Sequence, residues 1–266
     1  MELNFGKLAE KVDFGKTAQD YGRHRADFPD SFFERLFAAG YVRRSDRALD
    51  LGTGTGTVAR GLARAGCEVT GLDPSTKLTN EARRLDAEAG VTIRYVESRA
   101  EETGMPAGSF DVVTAGQCWH WFDRPKAAAE VRSVLKPGGR LIIAHFDWLP
   151  LPGNIVDQTE QLIIQHNPPW KVAAGGVGMH PKWAIDVAVA GFREIESFSY
   201  DVDVPYIHEA WRGRIRASAG VAASLPPDKV ARFDQELEEL LKRKFPVESI
   251  PVPHRVWALI CRSPED

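Results

Sequence analysis

Apolar and polar positions change period along the chain in a repeating order. A short apolar run at 48–51 precedes a glycine-rich stretch, and Val58, Leu62 and Ala65 then recur at helical spacing, which predicts strand, turn, helix. The unit repeats with a strand at 68–73, a helix at 75–88 with Ser75 as its N-cap, and a third strand at 92–97. A fourth strand at 110–115, a helix at 124–134 and a fifth strand at 140–145, entered through a Lys136-Pro137-Gly138-Gly139 turn, complete the series. Continuous apolar strands alternating with helices predict an α/β fold, a doubly wound and mostly parallel sheet covered on both faces.

The rhythm breaks after Asp147. Residues 148–190 hold Pro150, Pro152, Pro168, Pro169, Pro181, the pair Gly175-Gly176 and one helix at 155–166, and they read as an inserted cover. A strand at 194–202, helices at 208–218 and 227–244 and an apolar strand at 252–261 follow, the last two strands forming a hairpin-like pair at a sheet edge. The length suits one domain. Its expected parts are an N-terminal lid at 1–42 with a helix at 30–37, a ligand-binding core at 43–147, helical cover inserts at 148–192 and 203–249, and a last strand at 250–261.

Composition narrows the class of partner. With 43% hydrophobic residues and 34 basic against 37 acidic side chains, the chain is a soluble globular protein by composition, neither disordered nor membrane-spanning. A net charge of -3 with scattered basic residues argues against nucleic acid as a partner. The charged start lacks an apolar stretch of signal-peptide length, so the expectation is cytoplasmic, with no membrane partner. Cys67, Cys118 and Cys261 show no CxxC spacing and no histidine pair has metal-ligand spacing, so neither disulfide nor metal is expected. Oligomeric state is not legible.

The sharpest chemistry is Asp50-Leu51-Gly52-Thr53-Gly54-Thr55-Gly56 at the carboxyl end of the first strand. Ligands bind there in open α/β sheets, and glycines admit backbone N–H groups where a side chain would collide. Asp73 ends the second strand, where a carboxylate grips ribose hydroxyls, so a nucleoside-like ligand is implied. A nicotinamide fingerprint would need a glycine where Thr57 stands, and no Gly-Lys-Ser/Thr phosphate loop occurs.

With these residues in place, the stretch 47–147 resembles the class I S-adenosylmethionine-dependent methyltransferases. Ser98-Arg99-Ala100-Glu101 is similar to the family's adenine-contacting loop, and Leu135-Lys136-Pro137-Gly138-Gly139 to its turn before strand five. Gln117-Cys118-Trp119-His120-Trp121-Phe122-Asp123 and the segment from Tyr21 to Arg25 resemble the trans-aconitate methyltransferase group. The resemblance implies a seven-stranded Rossmann-like sheet and S-adenosyl-L-methionine as cofactor. It further implies that Asp50, Gly52, Thr53 and Gly54 wrap the methionine end, that Asp73 with the adjoining Pro74 holds the ribose, that Leu78 packs on adenine and that Ala100 offers backbone contacts to its edge. Arg99 stands where the family often has Asp and cannot accept a hydrogen bond, so that role passes to Glu101. Gln117 would meet the methionine amine and Arg25 its carboxylate.

The acceptor implied is a small molecule methylated on an oxygen nucleophile such as a carboxylate. His120 is the candidate catalytic residue, as base, acceptor ligand or backbone-bonding histidine. Tyr21, Trp119, His145 and His180 are candidates for lining the acceptor, with Trp121 assigned to the core. Arg212 and Arg216 share a helix face while Arg214 points away, and one of the three is a candidate anchor for an acidic acceptor. Rival readings are a cofactor-using enzyme of other chemistry, such as cyclisation, and a non-catalytic binding module. DNA amino-methylation is disfavoured because no Asn/Asp-Pro-Pro-Tyr follows the fourth strand.

Overall fold

The computed structural model describes residues 27–172 and 176–265. In chain order these form α1 (Asp30–Ala38), β1 (Arg47–Leu51), α2 (Thr57–Arg64), β2 (Glu68–Leu72), α3 (Thr76–Ala89), β3 (Arg94–Val96), β4 (Phe110–Gly116) and α4 (Arg124–Val134). There follow β5 (Leu135–Trp148), α5 (Ile155–His166), α6 (Trp183–Val189), β6 (Arg193–Tyr206), α7 (His208–Arg216), α8 (Pro227–Lys244) and β7 (Ile250–Arg262). The strands make one seven-stranded sheet in the order β3-β2-β1-β4-β5-β7-β6. Pairings from β3 through β5 are parallel. Hydrogen bonds from Ser263 to Gly139 and from Leu149 to Pro253 set β7 antiparallel beside β5, so the sheet is mixed at that edge. The sheet is doubly wound and Rossmann-like, with β7 and β6 adjacent at the edge as their sequence pattern predicts.

The described chain divides into two compact units, with β5, β6 and β7 contributing residues to both. One unit comprises residues 27–145, 180–199 and 256–266. Its core is the apolar set expected of buried parallel strands, Leu49, Leu51, Leu72, Val113, Ala115, Leu141 and Ile143, closed by Val131, Val134 and Trp257. Of the predicted N-terminal lid, residues 27–42 belong to this unit, because α1 is an amphipathic helix whose Phe32, Phe33 and Leu36 are buried. The helix α6, absent from the sequence reading, buries Trp183 and Val187 in the same core, so this part of the expected cover is core structure.

The other unit holds residues 146–179 and 200–255 within its described part. Trp211 is fully buried, donates its indole N–H to Thr159 at 3.1 Å and meets Tyr206 and Trp148 edge-on, around Leu162, Phe233 and Leu237. Asn154 caps α5 by accepting from Asp157 N–H, where the preceding Pro152-Gly153 cannot continue a helix. Ser75, by contrast, makes no capping bond to α3 with its side chain.

Candidate functional site

The glycine-rich loop lies between β1 and α2, at the carboxyl ends of the parallel strands. Gly52 and Gly54 both take φ of 56°, a conformation that a Cβ opposes. At Gly52 an added Cβ would also fall 2.8 Å from Cys118 Cβ, whereas at Gly54 the nearest atom is 4.0 Å away, so the loop is open on that side. Asp73 sits across from it, with one carboxylate oxygen accepting from Gly54 N–H at 2.9 Å and the other from Ser75 N–H at 2.8 Å. Burial raises the Asp73 pKa against these two bonds. Each oxygen keeps a lone-pair position for a further donor.

Asp50 is almost completely buried and accepts from the Thr114 hydroxyl at 2.6 Å. Burial pushes its pKa up to about 6, with Thr114 opposing and the Asp73 charge adding to the rise. The Thr53 hydroxyl is buried beside Asp50 and, like Thr114, opposes the rise of its pKa. Leu78 on α3 and Ala100 after β3 are buried, while Pro74 is exposed. The fit to an adenosyl group is therefore good at Gly52, Thr53, Gly54, Asp73, Leu78 and Ala100. Two expectations change. Arg99 points to solvent with 81% of its side chain exposed, and Glu101 accepts from Asp123 N–H at 2.8 Å, so Glu101 is engaged in starting α4.

Gln117 follows β4 with φ of 60°, a strained backbone for a residue with a Cβ, held by its N–H donating to Ala144 O at 2.8 Å. Residues 119–121 then form a 3-10 turn. That turn overturns the sequence expectation for Trp119, which is fully buried against Phe122 with its indole toward Asp186 and leaves no face for an acceptor. Trp121 is partly buried and packs against the core, as expected. His120 lies 5.4 Å from His145 between ring centroids, and His145 lies 4.3 Å from His180, whose ring stacks on Trp183 at 4.1 Å. Three histidines distant in sequence are thus brought together, a cluster that no spacing rule reveals. Tyr21 and Arg25 lie outside the described residues.

In the other unit the three arginines of α7 separate by face. Arg212 and Arg216 both clamp Asp234 of α8, and although burial opposes it the two guanidiniums hold that carboxyl below its usual range. Arg214 turns the opposite way and lies 4.5 Å over the Trp148 ring. Burial lowers its pKa, with Tyr206 and Asp147 opposing.

Residues 49–143 match the family model described as a methyltransferase domain. That stretch, which holds the glycine loop and Asp73, is similar to methyltransferase domains. An uncharacterised methyltransferase of Mycobacterium bovis is 35% identical over 130 residues, 49% of this chain and 50% of that protein. A malonyl-[acyl-carrier protein] O-methyltransferase of Enterobacter lignolyticus is 34% identical over 136 residues, 51% of this chain and 52% of its own. The chain therefore spans about half the length of these curated relatives. A phosphoethanolamine N-methyltransferase 2 of Haemonchus contortus, solved with phosphomonomethylethanolamine and S-adenosylhomocysteine, shares the fold at a TM-score of 0.59 and 19% identity, covering 99% of this chain and 61% of that one. A further structure of that Haemonchus contortus enzyme is a complex with S-adenosyl-L-methionine. Among the described residues no helix is long and apolar enough to cross a membrane.

Proposed function

We propose that the chain transfers a methyl group from S-adenosyl-L-methionine to a small-molecule acceptor, on an oxygen nucleophile such as a carboxylate. The observation that carries the cofactor part is the Asp73 carboxylate, aimed by two backbone N–H groups across an open glycine loop. Asp73 would accept both ribose hydroxyls, Gly52, Thr53 and Gly54 would approach the methionine end through backbone beside Asp50, and Leu78 and Ala100 would flank adenine. Gln117 would meet the methionine amine, and Arg25 its carboxylate. When bound, the cofactor supplies a sulfonium-activated methyl group for in-line displacement.

The chain's own task is then placement and exclusion of water. A carboxylate acceptor arrives deprotonated, and His120 would hold it; a phenol or alcohol would need His120 as base. The kinship of one relative to oxygen methylation by name, and the strand-four segment that resembles the trans-aconitate group, favour the same reading. No nucleic-acid or membrane partner enters it, and a cytoplasmic setting suits such an acceptor. A mass-spectrometric screen of carboxylic acids, phenols, amines and thiols tests the class: methyl esters support it, and exclusive turnover of amines or thiols refutes it.

A further inference from the structure

Beneath the glycine loop three side chains from three different elements form one buried polar network. Arg60 of α2 is almost wholly enclosed, and its Nε donates to Asp86 Oδ1 of α3 at 3.0 Å. Its Nη2 donates to the backbone carbonyl of Thr55, inside the loop, at 2.6 Å. The Tyr95 hydroxyl of β3 donates to Asp86 Oδ2 at 2.8 Å, so both oxygens of the carboxylate are engaged. Burial raises the Asp86 pKa, and the Tyr95 bond and the Arg60 and Arg83 charges oppose it.

The surroundings are cut to fit this network. An added Cβ at Gly71 of β2 would fall 2.6 Å from Tyr95 Cε1, and one at Gly56 would fall 2.6 Å from the Tyr95 hydroxyl. Both glycines therefore make room for a ring that lies along β2 and ends under the loop. A buried ion pair contributes little net stability over an apolar replacement, yet costs much when one partner is lost. Its advantage over packing alone is directional: the guanidinium fork fixes a carbonyl in the loop relative to α3. None of the three residues is on the list expected to touch the cofactor.

We propose that Arg60, Asp86 and Tyr95 are positioning residues that hold the loop from Gly52 to Gly56 in its cofactor-receiving shape, acting through the Thr55 carbonyl. The inference rests on the reading of that loop as the cofactor cradle. Tyr95→Phe removes one hydroxyl and keeps the ring over Gly71; Arg60→Met removes the fork and keeps the stem; Arg60→Lys restores charge toward Asp86 without the fork.

The experiment pairs hydrogen exchange of the loop amides in the ligand-free protein with calorimetric titration of S-adenosylhomocysteine. Arg60→Met is expected to speed exchange at residues 53–57 and to weaken binding by roughly 10-fold or more, as small misplacements of a binding group do. Arg60→Lys is expected to fall with Arg60→Met, because a single ammonium does not span carboxylate and carbonyl. Tyr95→Phe is expected to shift both readouts in the same direction by less. A purely structural role would lower the melting temperature and leave the affinity of the folded protein and the loop exchange at wild-type values, which overturns the proposal. If Arg60→Met does not fold, Tyr95→Phe decides by the same two readouts. Wild-type protein that does not bind S-adenosylhomocysteine refutes the cradle reading itself, a result distinct from unchanged loop exchange in the variants.

Discussion

Replacing Asp73 with Asn removes one charge and almost no volume, so its effect isolates what the carboxylate contributes. In the folded protein the two oxygens accept from Gly54 and Ser75 N–H. An amide satisfies only one of these and turns its NH2 toward the other, while a ribose would lose a charged acceptor for one or both hydroxyls. Hydrogen bonds to a charged group are each worth about 1.5–3 kcal/mol, and one strong and one weakened bond give about 2–4 kcal/mol. That corresponds to a loss of roughly 30- to 1,000-fold in affinity for S-adenosylhomocysteine. Isothermal titration of wild type and Asp73→Asn, each first shown to be folded by its melting curve, measures it directly. An affinity within about threefold of wild type, well under 1 kcal/mol, would refute the ribose assignment.

Three further outcomes follow from the same geometry. Asp50 has its pKa raised from 3.8 to about 6, so the folded state takes up a proton that the unfolded chain does not, and its contribution is lost as pH rises through that window. Urea unfolding at the two ends of the window should show Asp50→Asn losing a stability decrease on the order of 2–3 kcal/mol that wild type displays; parallel curves would contradict it. Gly61→Ala would ordinarily stabilise a helix interior by about 0.5–1 kcal/mol, but its Cβ would meet the Phe33 ring at 2.0 Å, so thermal melting should show a loss of about 1–3 kcal/mol, and a gain would disprove the docking of α1 on α2. Asp234→Ala should lower stability by about 1–3 kcal/mol, read as a fall in melting temperature, because Arg212 and Arg216 lose the carboxylate they share; an unchanged melting temperature would contradict that clamp.

Much of this architecture is written locally. Proline at the start of α4 and α8, the Asn154 cap of α5 and the apolar periodicity between them mark those three helices at their observed bounds. The helix α6 escaped because seven residues among prolines and glycines carry too little periodicity to stand out. The strand β6 outruns its apolar stretch since most of its length alternates between exposed and half-buried positions. The cofactor loop was legible because its requirement is a backbone requirement, stated by glycine itself. Trp119 does not line a site as expected, because the chain at 119–121 coils into a 3-10 turn that sends its ring inward. The Arg60, Asp86 and Tyr95 network was invisible, since each residue lies on a different element and none alone departs from an ordinary helix or strand residue.

Transfer of a trideuteromethyl group tests the central claim most directly. Purified protein is incubated with S-adenosylmethionine labelled in its methyl group and a mixture of small carboxylic acids, and the products are read by mass spectrometry beside the Asp73→Asn variant. The account predicts a trideuteromethyl ester that forms in step with S-adenosylhomocysteine and is lost with the variant. Conversion of S-adenosylmethionine to labelled methylthioadenosine, with its aminobutyrate arm lost and no labelled acceptor formed, or labelled product formed equally by Asp73→Asn, would contradict it.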